Sequence, residues 1–486
     1  MTHMEWLGAL EAEGYLGARW LLQRGVALVY VLAFVNILHQ WRPLLGDAGL
    51  TPAREVLEGA SWRRAPSLFH LGYSDRLAMA LSGLGLTVAL ALVAGLPQAG
   101  PVWAPMAAFA LLWVLYLSFV SVGRVFYAFG WESLLLEAGF LAIFLGASDI
   151  APSWVVLLAF RWLLFRVELG AGLIKLRGDA CWRELTCTEH HHETQPLPNA
   201  LSRRFHHLPR WQHRVEVGAN HLTQLVVPLA LFLPQPVAGT AATIMIVTQA
   251  YLMLSGNFAW LNLLTIVLAA AALPDDWLGW LPVTEAGVAT PTWFAVVTAV
   301  LGVLLVWRSA PPVANLLSPR QRMNTSHDPL RLVNSYGAFG SVTRTRYELV
   351  LEATADDPAS PDAAWHAYEL PAKPTDPTRR PRQVAPYHLR LDWLLWFAAM
   401  SPTPDRHPWL VRLLQALLAA DPKVLRLLRH DPMEGRRPAA VRVRRGVYRF
   451  ATRAETRATG HWWHVEDLQV VVGPVRAAGY SGWSGP

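Results

Sequence analysis

The chain has 486 residues, of which 53% are hydrophobic and only 16% charged, and its mean hydropathy is +0.26. That balance is too apolar for an ordinary soluble enzyme and points to lipid as the main solvent. The net charge of +7 lies almost entirely outside the apolar runs, and no basic stretch is interleaved with aromatics as a nucleic-acid reader requires; the lipid bilayer is therefore the expected partner, and the 23 tryptophans suit its headgroup layer.

At the N-terminus, Glu5, Glu11 and Glu13 stand where a signal peptide carries basic residues. No small-residue cleavage site follows, so the first apolar run is expected to stay as an anchor. A bilayer core of roughly 30 Å takes about 20 apolar residues in a helix. Residues 16–38, 77–96 and 102–122 meet that length cleanly. Residues 126–146, 152–174 and 215–233 meet it while containing ionisable groups, and 237–273 runs on with one break at Ser255, Gly256 and Asn257. A last span covers 293–307. The expectation is a bundle of about nine transmembrane helices.

Loop charge gives an orientation, because Lys and Arg collect on the cytoplasmic side. The first loop has Arg42, Arg54, Arg63, Arg64 and Arg76, the third has Arg124, and the fifth has Lys175, Arg177, Arg183, Arg203, Arg204, Arg210 and Arg214. The even-numbered loops have neither residue, so nine spans place the N-terminus outside and the tail inside.

After Arg308 prolines and charges become dense. The chain divides into a membrane domain, 1–310, holding a polar loop at 175–214, and a C-terminal domain, 311–486. Residues 344–351, 441–450 and 460–472 alternate or cluster like strands, and 389–400 and 409–420 look helical, so a mixed α and β domain rich in β structure is expected. The helix at 389–400, with Trp393, Trp396 and Phe397 beside Arg390 and Asp392, also suits a membrane-surface position.

Ionisable groups inside apolar spans are costly, and here they are Glu137, Arg161, Arg166, Glu168 and Glu216. Interhelical pairing of Glu137 or Glu168 with an arginine is the simplest use. The segment 175–199 (KLRGDACWRELTCTEHHHETQPLPN) is too polar to face lipid, so it must fold back against the bundle or lie at the interface. His190, His191, His192, His206, His207, His213 and His221 lie in or near it, with Glu189 and Glu193. Three adjacent histidines do not share a helix face, and neither HExxH nor a paired CxxC occurs, so no metal or other cofactor is assigned. The spacing of Cys181 and Cys187 permits a local disulfide and is not that of a thiol oxidoreductase. Lys175 at the end of a span either snorkels to the headgroups or, if desolvated, serves as a base.

The segment 173–199, with its Lys175, Arg177, Gly178 and Asp179, then Cys181 and Trp182, then Glu193, Thr194, Gln195, Pro196, Pro198 and Asn199, resembles the lipase maturation factor family. Further blocks resemble it in the same order: Trp131 through Glu137 (WESLLLE), Gly256 and Asn257, the stretch with Asn334, Tyr336 and Gly337 (NSYGAFGSVTRTRYE), and APYHLRLDWLLWFAA with Tyr387, His388, Arg390, Asp392 and Trp393. The resemblance implies a multi-pass membrane protein, chaperone-like and without cofactor, that helps exported lipases mature, with 175–199 and the tail as its working surface. That surface belongs on the luminal side, against the loop charges. The Ala-, Arg- and Pro-rich composition suggests a bacterial member in an inner membrane, whereas the animal members work in the endoplasmic reticulum. One departure stands out: Ala372-Lys373-Pro374 occupies the place of an expected Cys-Lys-Pro. Lys175, Asp179, Trp182 and His221 bear a fainter resemblance to vitamin K-dependent carboxylase-like membrane proteins, which implies an enzyme with Lys175 as base. A transporter is disfavoured by the absence of paired halves. Client and oligomeric state are not legible.

Overall fold

The computed structural model describes residues 10–283, 285–401 and 403–476, so Glu5 lies outside the described residues. The N-terminal half is a helical bundle. Helix α1 (Leu16–Leu45) runs through its centre and packs along α2 (Asp75–Ala94). The two come close because Gly85 of α2 has no side chain where the ring of Phe34 lies. Ser74 caps α2 by accepting from the Leu77 N–H at 3.1 Å, and Gly95 ends it in the left-handed region at φ 85°. Helices α3 (Trp103–Val122), α4 (Gly130–Ala142) and α5 (Trp154–Arg177) complete the first layer.

The polar loop comes next, folded into short helices that include α6 (Thr188–Thr194). Helix α7 (Arg210–His221) continues through π and 3-10 turns to Phe232, followed by α8 (Val237–Ser255), α9 (Leu261–Ala269) and α10 (Thr292–Arg308). The break at Gly256 and Asn257 does separate two helices, as read from the sequence. Helix α11 (Ala310–Leu317) then extends α10, so helix continues past Pro311, where the sequence suggests the tail begins.

Among the described residues, six helices are long and apolar enough to cross a membrane: Glu13–Leu45, Asp75–Ala94, Trp103–Val122, Arg210–Phe232, Val237–Ser255 and Thr292–Leu317. The other three expected spans fall short for physical reasons. Helix α4 has 13 residues, which rise about 20 Å, and Leu261–Ala272 is short as well. Helix α5 is long enough at 24 residues but carries Arg161, Arg166, Glu168, Lys175 and Arg177.

The C-terminal region holds a four-stranded antiparallel sheet in the order β2-β1-β3-β4, made of β1 (Arg346–Thr354), β2 (His366–Ala367), β3 (Ala440–Phe450) and β4 (Trp463–Arg476). Helix α12 (Arg390–Met400) packs against β1, and α13 (Pro408–Leu418) against β3. Of the residues considered for a membrane-surface position, Arg390, Asp392 and Trp393 are buried within the protein, Trp396 is half-buried and Phe397 is exposed. One apolar core runs from the bundle into the sheet and α12.

Candidate functional site at the seam of bundle and tail

Where the two regions meet, buried polar side chains link the segments that sequence reading singles out. Glu137 of α4 pairs with Arg166 of α5, both almost fully buried. The same carboxylate accepts from the Asn334 backbone N–H and side-chain amide, each at 2.9 Å, and from the Tyr336 hydroxyl at 2.7 Å. The expected interhelical pair is therefore present, and it also anchors the segment leading into the sheet. Gly170 of α5 makes room for the Tyr336 carbonyl, and Gly178 for that of Gly340. Gly337 donates its N–H to Asn324 Oδ1 at 3.4 Å.

A second node centres on Glu132, one turn earlier on α4. It receives Arg390 at 2.7 Å and the Tyr116 hydroxyl, with the His388 ring 3.7 Å away. Arg390 also donates to Asn36 Oδ1 at 2.7 Å and to the Phe126 carbonyl at 2.5 Å. The His388 carbonyl accepts from Asn36 and Gln40 of α1, and Gln40 also donates to the Tyr387 hydroxyl at 3.1 Å. Trp131 packs edge-on against Trp393 and donates its indole N–H to His388 Nδ1 at 3.4 Å. Burial holds His388 down to about 4, Arg390 acting in the same direction and Glu132 opposing it.

The polar loop is gripped from the sheet side. Arg346, at the start of β1, donates to the carbonyls of Glu193 (2.9 Å), Gln195 (2.5 Å) and Pro196 (3.2 Å) and pairs with Glu348, which in turn holds Lys373. The Thr194 carbonyl accepts from the Trp396 indole at 2.9 Å, and Glu193 Oε2 from the Phe450 N–H at 2.7 Å. Asn257 accepts the N–H groups of Val384 (2.7 Å) and Ala385 (2.9 Å) and donates to the Leu197 and Arg382 carbonyls and, at 3.5 Å, to that of Pro198. Asn199 donates to Gln383, and Gln195 reaches back to the Ser255 carbonyl beside Gly256. Asp392 accepts the Ala372 N–H at 2.8 Å; burial pushes its carboxyl up to about 7, against the pull of that bond and of Lys373.

At the head of the loop Cys181 and Cys187 are joined, with Cα atoms 4.8 Å apart, both buried. Arg344 pairs with Asp179 at 3.0 Å and holds its carboxyl below the usual range. Arg177 donates to Gln321 at 2.8 Å, and the Trp182 indole to the Phe339 carbonyl at 2.9 Å. Lys175 donates to Asn220 (3.1 Å) and Gln224 (2.8 Å) and lies over the Trp182 ring. Among the described residues Glu168 is satisfied by Gln224 and Gln249 and pairs with no arginine. Of the three residues that would serve an enzyme, Lys175 engages α7, Asp179 engages Arg344, and His221 Nε2 donates to the Trp182 carbonyl at 2.9 Å.

Comparison with known proteins decides the family. The lipase maturation factor transmembrane domain matches residues 17–280, and the lipase maturation factor C-terminal domain matches 332–472. The chain belongs to the lipase maturation factor family. It is 43% identical to lipase maturation factor 1 of Bos taurus, covering 93% of this chain and 88% of that protein, and 42% identical to the Homo sapiens protein of the same name, covering 92% and 87%. Lipase maturation factor 2 of Homo sapiens is 29% identical over 92% of this chain and 80% of its own length. No solved structure matches. As a family member the chain is a multi-pass membrane protein with apolar helices followed by a sheet-containing tail. The carboxylase-like reading and the bacterial assignment find no support in these matches.

Sequence reading missed the partners that give the motif residues their purpose. Glu132 and Arg346 lie inside the WESLLLE and NSYGAFGSVTRTRYE blocks without being singled out, and Tyr116 is one hydroxyl in an apolar span. The one available signal was Glu132 in the apolar run 126–146, an ionisable residue as costly there as Glu137.

Proposed function

We propose that this chain is a membrane-embedded maturation factor that assists folding of exported lipases, presenting the polar loop and the tail as one rigid surface. The observation that carries this reading is the grip of Arg346 on the Glu193, Gln195 and Pro196 carbonyls of the loop, 150 to 153 residues away in sequence, which makes loop and sheet a single platform. That platform is built for holding a polypeptide client, since its buried charges are spent on one another. The joined Cys181 and Cys187 favour the oxidising side of the membrane for this surface, whereas the arginine-rich loops favour the cytoplasm. We place it on the oxidising side, because a lipase client matures there and because seven loop cations are partly consumed in internal pairs such as Arg210 with Glu189. Helices α4, α5 and α9 complete nine crossings or half-crossings, the short ones shielded by their neighbours.

The test is functional complementation. In cells lacking their own maturation factor and expressing a secreted lipase, the chain should restore lipase specific activity at unchanged lipase synthesis. Arg346→Ala at equal abundance should not. Specific activity that stays flat with the intact chain overturns the proposal. Orientation is read separately: both native cysteines are bonded, so a cysteine placed at exposed Arg204 can be labelled against a silent background, and labelling by an impermeant reagent from the cytoplasmic side alone overturns the placement.

A further inference from the structure

We infer that His192, His213 and Glu216 form a binding site for one divalent transition-metal ion of the zinc type. The three come from two helices, α6 and α7, and their candidate ligand atoms all lie within 4.8 Å of one another. His192 and His213 are buried, and Glu216 is half-buried. His192 Nε2 stands 3.0 Å from Glu216 Oε1 and 3.1 Å from Oε2, so the ring faces the whole carboxylate and not one lone pair. His213 Nδ1 is 3.8 Å from Oε2. His213 and Glu216 are three residues apart on α7 and so share a helix face.

The donor set suits the assignment. Two neutral imidazoles and one carboxylate give the nitrogen and oxygen donors that zinc-type ions prefer, at one net negative charge, and leave a fourth position open. His213 Nδ1 also lies 3.1 Å from the Thr188 hydroxyl, but that hydroxyl has a second acceptor, the His213 carbonyl at 3.3 Å. A hydroxyl has one proton. With it given to the carbonyl, Thr188 Oγ1 accepts from His213 Nδ1–H, and that proton is released when a metal takes the nitrogen. Tetrahedral ligands at roughly 2.1 Å from a metal lie about 3.4 Å apart; both imidazoles already stand 3.0–3.8 Å from the Glu216 carboxylate, so the closure needed, about 1.4 Å, is between the two imidazoles and takes a small shift of α6 towards α7.

The consequence is mechanical. A metal here staples α6 to α7 across residues 195–209, and α6 ends on the Glu193 and Thr194 carbonyls that Arg346 and Trp396 grip. The site therefore ties to α7 the same helix whose end the sheet holds. His190 and His207 are outside it.

The experiment uses the full chain in detergent, purified without a polyhistidine tag and stripped with a chelator, then titrated with Zn²⁺ against a chromophoric competitor. One equivalent is expected to bind at about micromolar affinity or better, with His192→Ala, His213→Ala and Glu216→Gln each weakening it at least tenfold and His207→Ala leaving it unchanged. Cobalt should give the visible absorption of a tetrahedral nitrogen and oxygen site in the intact chain. Because an alanine variant can fail to fold, the isosteric Glu216→Gln and the cobalt spectrum decide in that case. No stoichiometric zinc in the intact chain, an octahedral cobalt spectrum, or equal binding by Glu216→Gln and His207→Ala overturns the inference.

Discussion

The seam and the outer face of the bundle use opposite materials for the same job. At the seam Arg166, Arg346 and Arg390 are each no more than 2% exposed and each is matched to a carboxylate. On the outer face, helices α2, α8 and α10 expose the apolar side chains Leu84, Leu90, Val247 and Val303. Apolar contacts are non-directional and tolerate sliding, so they set where helices go only approximately. Buried ion pairs with several hydrogen bonds tolerate one register, because any slip strands a charge. The bundle gets its solubility in lipid from the first material and the fixed docking of its tail from the second.

The sharpest way to break that comparison is to strand a charge. Arg390→Ala leaves Glu132 buried with only Tyr116 and His388 beside it, and should cost about 3–5 kcal/mol, read as loss of folded protein in detergent. A paired replacement, Glu132→Gln with Arg390→Met, should recover most of the loss, since removing both charges removes the desolvation penalty as well. A cost below about 1 kcal/mol for the single variant would mean that water reaches the seam.

Arg346→Ala comes next, at about 2–4 kcal/mol, since Glu348 keeps Lys373 as a partner while the loop carbonyls lose theirs. Arg346→Lys should rescue little. A single ammonium cannot reach the Glu193, Gln195 and Pro196 carbonyls and Glu348 together, as the planar guanidinium does. Rescue by lysine would show that charge alone, and not the fork, holds the loop.

Asp392 gives a pH dependence whose sign follows from its burial. With the carboxyl raised to about 7, the native state keeps a proton that the unfolded chain has released above about 4. The native state binds more protons, so stability falls as pH rises through that window and levels off above about 7. Unfolding followed between pH 5 and pH 8 should show a loss of roughly 2–3 kcal/mol from this group, and Asp392→Asn should flatten the curve. A flat curve in the unchanged chain would mean that Lys373 keeps Asp392 ionised throughout.

The outer spans were legible in sequence because length and hydropathy are local properties, and 77–96 and 102–122 differ from Asp75–Ala94 and Trp103–Val122 by only a residue or two at either end. Helix α4 was overdrawn, since the apolar residues 126–129 and 143–146 extend the run without extending the helix. The motif residues were visible as an unusual composition, but not what they touch. Asn257 is fixed by Val384, and Glu137 by Asn334, from 127 and 197 residues away. Burial of α12 was hidden for the same reason: Arg390 reads as a surface residue until Glu132 is known to face it.

The smallest expected effect completes the contrast. Val303→Ala and Val247→Ala lie on the outer face, where a side chain meets hydrocarbon in the folded state and also when the separate helices sit unassembled in the bilayer. Trimming it removes no surface from water, so each should stay within about 0.5 kcal/mol of the unchanged chain, with lipase activation unaffected. Unfolding in detergent and the complementation assay read the two quantities independently. If Val303→Ala lowers activation while stability holds, α10 presents a protein contact and not only lipid. The working surface would then extend beyond the seam to the far side of the bundle.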